Sequence, residues 1–200
     1  MKNLKSLLFT LVAIFGLTTV SNAASITGLY FEVGSSAAGV AVDGSATDTG
    51  SNSTTVGSVG KTAVIAHYGL GYMTSRDNKL GLDVNYMWTP GEAKISQTST
   101  SNNANTVSLE VSGSTEYYLA PTLNITDDAA IYLKYGKNKA DLKVVGDVNK
   151  INSMNGSTVA IGTVMSWGSN LYIRTEAGQT EYDTLSFTGL GTTGASRIAT

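Results

Sequence analysis

Residues 80–88, Leu-Gly-Leu-Asp-Val-Asn-Tyr-Met-Trp, alternate without a break. Leu80, Leu82, Val84, Tyr86 and Trp88 fall on one file, and Gly81, Asp83, Asn85 and Met87 on the other. Successive side chains of a strand point to opposite faces, so the stretch is a strand with one apolar and one polar face; a helical period of 3.6 would mix the two sets. The pattern recurs along the chain. Leu29, Phe31 and Val33 alternate with Gly28, Tyr30 and Glu32. Val64, Ala66, Tyr68, Leu70 and Tyr72 alternate with Ile65, His67, Gly69 and Gly71. Val107, Leu109, Val111, Thr115, Tyr117 and Leu119 are set against Ser108, Glu110, Ser112, Ser114, Glu116 and Tyr118. Ile131, Leu133 and Tyr135 are set against Tyr132 and Lys134. Val159, Ile161, Met165 and Trp167 oppose Ala160, Gly162 and Ser166; Leu171, Ile173 and Ala177 oppose Tyr172, Arg174, Glu176 and Gly178. The alternation predicts strands at about 26–34, 62–73, 80–88, 106–123, 129–136, 157–167 and 171–178.

The connections alternate too. Polar stretches at 35–60, 89–105 and 137–155, and another running to about 195, are read as long loops, separated by short turns at 75–79, 124–128 and 168–170. The first long stretch carries no periodic apolar set and is expected to be a loop with at most frayed strand ends; the third, which holds Lys137, Lys139, Asp141, Lys143, Asp147 and Lys150, is expected to be a polar loop. Residues 196–200 are expected to open an eighth strand; the alternative is a last strand within 184–191, where Leu185 and Phe187 share a face. Long connections on one side and short ones on the other are the arrangement of an up-and-down antiparallel barrel in an outer membrane, whose strands need about 9–11 residues to span. A soluble sandwich would also use two-faced strands, with the apolar face against a second sheet, and stays open as the alternative.

Two further patterns favour the barrel. Trp88 and Tyr135 fall at one end of the strands and Tyr72 and Trp167 at the other, as two interfacial aromatic girdles would. The polar face mixes Gly and Ser with isolated charges, Glu32, Asp83, Glu110, Glu116, Lys134, Arg174 and Glu176. Such economy of size suits a narrow lumen filled by side chains.

The N-terminus adds a compartment. Lys2 and Lys5 precede an apolar core from Leu7 to Leu17, and Ser21-Asn22-Ala23 supplies small residues for cleavage. Residues 1–23 therefore read as a secretory signal peptide, since the apolar run is shorter than the roughly 20 residues of a spanning helix. Residues 24–200 form one domain. A net charge of -2 excludes the basic footprint of a nucleic-acid binder, and the absence of Cys excludes a disulfide framework and a thiolate metal site. With Gly at 22 and Pro at 2 in a chain of 200 residues, the composition suits strands and loops rather than helices.

These features together resemble the small eight-stranded outer-membrane barrels of Gram-negative bacteria, the membrane domain of outer membrane protein A and the opacity-type proteins. The resemblance implies an all-β, up-and-down transmembrane β-barrel of eight strands, a monomer held by outer-membrane lipids and lipopolysaccharide and delivered by the insertion machinery. It implies no enzyme activity and no cofactor or metal, with a structural or adhesin-like surface role and a possible extracellular ligand on four loops. That family usually ends its last strand on an aromatic residue, whereas this chain ends Ser-Arg-Ile-Ala-Thr200. Seven strands and a stub leave an edge unpaired in lipid, so roughly 10 further residues, one spanning strand, are expected beyond it.

The lumen charges are the candidate site. Glu116, Lys134, Arg174 and Glu176 are expected to form salt bridges filling the interior; the alternative is a narrow cation-preferring channel. His67 is the only histidine and faces the same way, but no nucleophile pairs with it in the pattern. The stretch Gly57-Ser-Val-Gly-Lys-Thr62 lacks both the first glycine and the following helix of a phosphate-binding loop.

Overall fold

The computed structural model describes residues 13–20, 27–48, 53–76, 79–97, 107–145, 151–167, 171–185, 187–188 and 197–199. The chain is all-β. Its strands are β1 (Ala13–Val20), β2 (Gly28–Asp48), β3 (Ser53–Arg76), β4 (Leu80–Thr89), β5 (Ala93–Gln97), β6 (Val107–Thr126), β7 (Ala129–Val145), β8 (Ser153–Ser166), β9 (Leu171–Tyr182), β10 (Phe187–Thr188) and β11 (Arg197–Ala199). Seven long strands, β2, β3, β4, β6, β7, β8 and β9, lie side by side in chain order, each antiparallel to the next. All the described strands belong to one sheet, not to the two a sandwich requires. Among the described residues no helix is long and apolar enough to cross a membrane, a statement that does not bear on strands.

The sheet curls. Arg174 on β9 and Asp83 on β4 are four strand spacings apart, roughly 19 Å in a flat sheet, yet their side chains meet at 2.5 Å. The ladder also runs through β1, which pairs with β9 on one side and β2 on the other, with Gly16 opposite both Arg174 and Gly34. Part of the apolar segment expected to be a leader core thus lies along both edges of the seven-stranded sheet; the expected cleavage site at Ala23 lies outside the described residues.

The strands outrun their expected lengths. Residues 35–60, expected to be a loop, are mostly the far ends of β2 and β3, paired from Ser35↔Ala66 to Asp48↔Ser53. Residues 137–155, also expected to be a loop, are largely β7 and β8, paired from Lys137↔Ser157 to Asp141↔Ser153. Within the stretch 89–105, β5 pairs with the start of β6. Hydrogen-bonded hairpins satisfy backbone groups that loops leave to water, and β-branched and small residues such as Val40, Val42 and Val59 suit extended chain. Where an eighth strand was expected to open, the described residues hold only the three-residue β11, whose Arg197, Ile198 and Ala199 pair with Asp48, Thr47 and Ala46 at the far end of β2, Ile198 and Ala199 also pairing with the short β10.

One face assignment changes along β6. A bulge lies between Val111 and Gly113, and Gly113 has φ 152°, a backbone that side chains rarely adopt. The extra residue reverses the faces above it. Val111 accordingly packs against an interior cluster rather than continuing the file of Thr115, Tyr117 and Leu119.

Candidate functional site

Strand alternation sends Tyr30 and Glu32 (β2), His67 (β3), Asp83 and Asn85 (β4), Glu116 and Tyr118 (β6), Tyr132 and Lys134 (β7), and Arg174 and Glu176 (β9) to the inside of the curl, where all are buried. The outside is the reverse. Leu29, Leu70, Val84, Leu119, Leu133 and Ile161 are exposed, as are Tyr72, Trp88, Tyr135 and Trp167. Neighbours on one strand make the contrast plain: Leu133 is 59% exposed and Lys134 is 3%. In water the opposite distribution would be favoured, because desolvating a charge is costly and burying Leu is favourable.

The interior charges form two tiers. In the lower tier the Arg174 guanidinium lies 2.5 Å from Asp83 Oδ2 and 3.4 Å from Glu32 Oε2. It also donates to the Tyr118 hydroxyl. Tyr30 donates to Asp83 Oδ1 at 2.6 Å, and Asn85 donates to Tyr30 at 2.7 Å and to Glu32 at 3.3 Å. The rings of Tyr132, Tyr30 and Tyr118 surround the guanidinium with centroids 5.0, 5.5 and 5.8 Å away. In the upper tier Lys134 bridges Glu176 at 2.9 Å and Glu116 at 3.0 Å, with Nζ 4.6 Å from the Tyr118 ring centre. Tyr132 donates to Glu176 at 2.9 Å. Each cation thus meets two carboxylates, and aromatic faces occupy its remaining surroundings.

Apolar layers lie beyond both tiers. On the side of the short turns, Tyr30, Met73, Ala130, Val164 and Tyr172 pack together. On the side of the long hairpins, Asn138, Thr158 and Thr180 form a hydrogen-bonded row. Above it Ala140, Leu142 and Met154 pack with Val111, Ile151, Tyr182 and Leu185. Burial in that layer pushes the Tyr182 phenol up to about 12.

The structure brings together six of the seven expected lumen charges: Glu32, Asp83, Glu116, Lys134, Arg174 and Glu176. Glu110 stands apart. It lies beyond the Gly113 bulge, only partly buried, opposite the exposed Lys143. The polar row of Asn138, Thr158 and Thr180, and the part played by Tyr30, Tyr118 and Tyr132, were not expected from the sequence. For Tyr30, Tyr118, Tyr132 and Thr158 the one signal was inward parity on strands already assigned; Asn138 and Thr180 lie on β7 and β9 beyond the expected strand ends. His67 Nε2 is 3.4 Å from Glu32 Oε1, but neither ring nitrogen makes a hydrogen bond, so no base and nucleophile are aligned there. Among the described residues no cluster of three or more metal-ligating side chains occurs.

Along β7 the polarity reverses. Up to Tyr135 the outward residues are Ile131, Leu133 and Tyr135, with Tyr132 and Lys134 inside. From Lys137 the outward residues are Lys137, Lys139, Asp141 and Lys143, with Asn138, Ala140, Leu142 and Val144 inside. Lys137 stands at the reversal, its Nζ 5.5 Å from the Tyr135 ring centre and donating to Ser157 Oγ at 2.8 Å. No family model matches the chain, and neither a curated protein nor a solved structure is detectably similar to it.

Proposed function

We propose that the protein is a monomeric eight-stranded β-barrel of a Gram-negative outer membrane, delivered by its N-terminal signal. Its role is structural or surface-interacting, without catalysis. The observation that carries this reading is the inside-out polarity of the sheet: an apolar, aromatic-edged exterior around a charged, tightly paired interior. Hydrocarbon outside accounts for the first, and a narrow lumen for the second. The eighth strand runs along the edge of β2 on which β1 and β11 lie. The long connections β2–β3, β4–β6 (through β5) and β7–β8 face outward, where a rigid scaffold presents them to partners. Closed hydrogen bonding removes the edges that lipid would leave unsatisfied.

The test uses the absence of native cysteine. Single variants Leu82→Cys, Val84→Cys and Tyr86→Cys, each spin-labelled in a reconstituted bilayer, collide with oxygen more than with a water-soluble nickel chelate. Preference for the chelate at all three sites overturns the membrane assignment. A cation-preferring channel is the second reading, favoured by four buried carboxylates (Glu32, Asp83, Glu116, Glu176) against two buried cations (Lys134, Arg174). Steady cation current across a planar bilayer would establish it. The ion pairs and apolar layers favour a closed plug, for which the bilayer stays silent.

A further inference from the structure

On the outer wall a shallow apolar groove crosses β3, β4, β6 and β7. Leu70, Val84, Tyr86, Tyr117, Leu119 and Tyr135 line it, and it ends at Lys137. All six are exposed, and Tyr86 and Tyr117 lie against each other with centroids 4.9 Å apart. Lys139 is the next outward residue above Lys137 on β7, about 7 Å further along the strand. No carboxylate of the described residues pairs with either lysine, whereas Lys143 higher on the file faces Glu110. The groove is therefore apolar along its length and bears two cations at the head, at the level where the outer face turns from apolar to charged.

We propose that this groove, headed by Lys137 and Lys139, binds a phosphorylated glycolipid of the surrounding leaflet, an acyl chain lying along Leu70, Val84 and Leu119 and a phosphate meeting the two ammonium groups. The proposal rests on the membrane reading above and names a site within it. Charge complementarity selects an anionic headgroup, since exposed basic side chains near a membrane surface attract anionic lipid. The side of the long hairpins selects the leaflet, which in such membranes is built of phosphorylated glycolipid rather than phospholipid. Tyr135 and Tyr117 sit at headgroup depth, where amphipathic rings are favoured.

The full chain, reconstituted with bisphosphorylated lipid A in phosphatidylcholine and extracted in mild detergent, is weighed by native mass spectrometry. The wild type retains lipid A, and K137Q/K139Q retains at least tenfold less at equal lipid fraction, while still showing heat-modifiable gel mobility. Retention by the wild type falls with salt. Dephosphorylated lipid A is not retained. Equal retention by the double variant overturns the proposal, as does equal retention of phosphatidylglycerol, which would mark charge attraction without a glycolipid site. A protein that never acquires heat-modifiable mobility overturns the membrane reading itself; one that acquires it and shows no lipid preference overturns the site alone.

Discussion

The two halves of β7 are made from similar residues in opposite arrangement. In the lower half Leu133 looks outward and Lys134 inward; in the upper half Lys139 looks outward and Ala140 and Leu142 inward. Strand geometry is continuous through both, since β7 stays paired with β8 from Ala129 to Asp141. Only the surroundings can account for the reversal. The upper half follows the ordinary rule for a protein in water, with apolar side chains in the core and charges in solvent. The lower half breaks that rule on both faces at once, as a wall between oil and a small polar lumen would.

The comparison can be broken most sharply from the lower interior. Arg174→Ala leaves Asp83 and Glu32 buried without their cation, which is expected to cost about 3–5 kcal/mol. Urea unfolding of the refolded protein in lipid vesicles measures it, and an unchanged midpoint would show that the lower tier is wet rather than closed. Next come paired exchanges on the outer file of β7. Leu133→Lys is expected to cost about 2–4 kcal/mol in the same vesicles, whereas Lys139→Leu stays within about 0.5 kcal/mol. Equal costs would place both residues in one solvent. A smaller effect is expected at Gly71, where an added Cβ would fall on the Tyr30 ring. Gly71→Ala should cost roughly 1–3 kcal/mol through overpacking, read as a lower unfolding midpoint. The smallest effect concerns alkali. Burial holds the Tyr182 phenol protonated to about pH 12, whereas an unfolded tyrosine ionises near 10. The folded state binds the proton more tightly, so its stability falls as pH rises from 10 to 12. Tyr182→Phe should make that fall shallower, as followed by tryptophan fluorescence.

Much of the lower half was legible in the residues themselves. Alternation over Leu80 to Trp88 and its repeats marked strand identity and face, because a period of two is local, and the short turns between strands marked their neighbour order. The upper half was obscured by composition. Lys137, Lys139, Asp141 and Lys143 read as a polar loop, although Asn138, Ala140, Leu142 and Val144 between them keep strict parity. What marked that stretch as strand was the alternation, with its polarity inverted. Glu110 was misplaced for another reason. A bulge shifts parity by one, and nothing at Ser112 or Gly113 announces it before the partner strand is known. The ion pairs needed more still, since Arg174 meets Asp83 across 91 positions of sequence and only the curl of the sheet brings them together.

The reversal on β7 has a mechanical side. Exposed charges bound the apolar wall at both ends, Lys137 and Lys139 above and Lys79, Asp127 and Asp128 below. From Asp128 to Lys137 is about 30 Å along the strand, or about 23 Å once tilted by roughly 40°. If the chain sits in a membrane as proposed, sliding it up or down would draw one set of charges into oil, so its depth would be clamped from two directions. In that placement a bilayer of different thickness could not be met by bobbing; the lipids themselves would have to stretch or thin to fit.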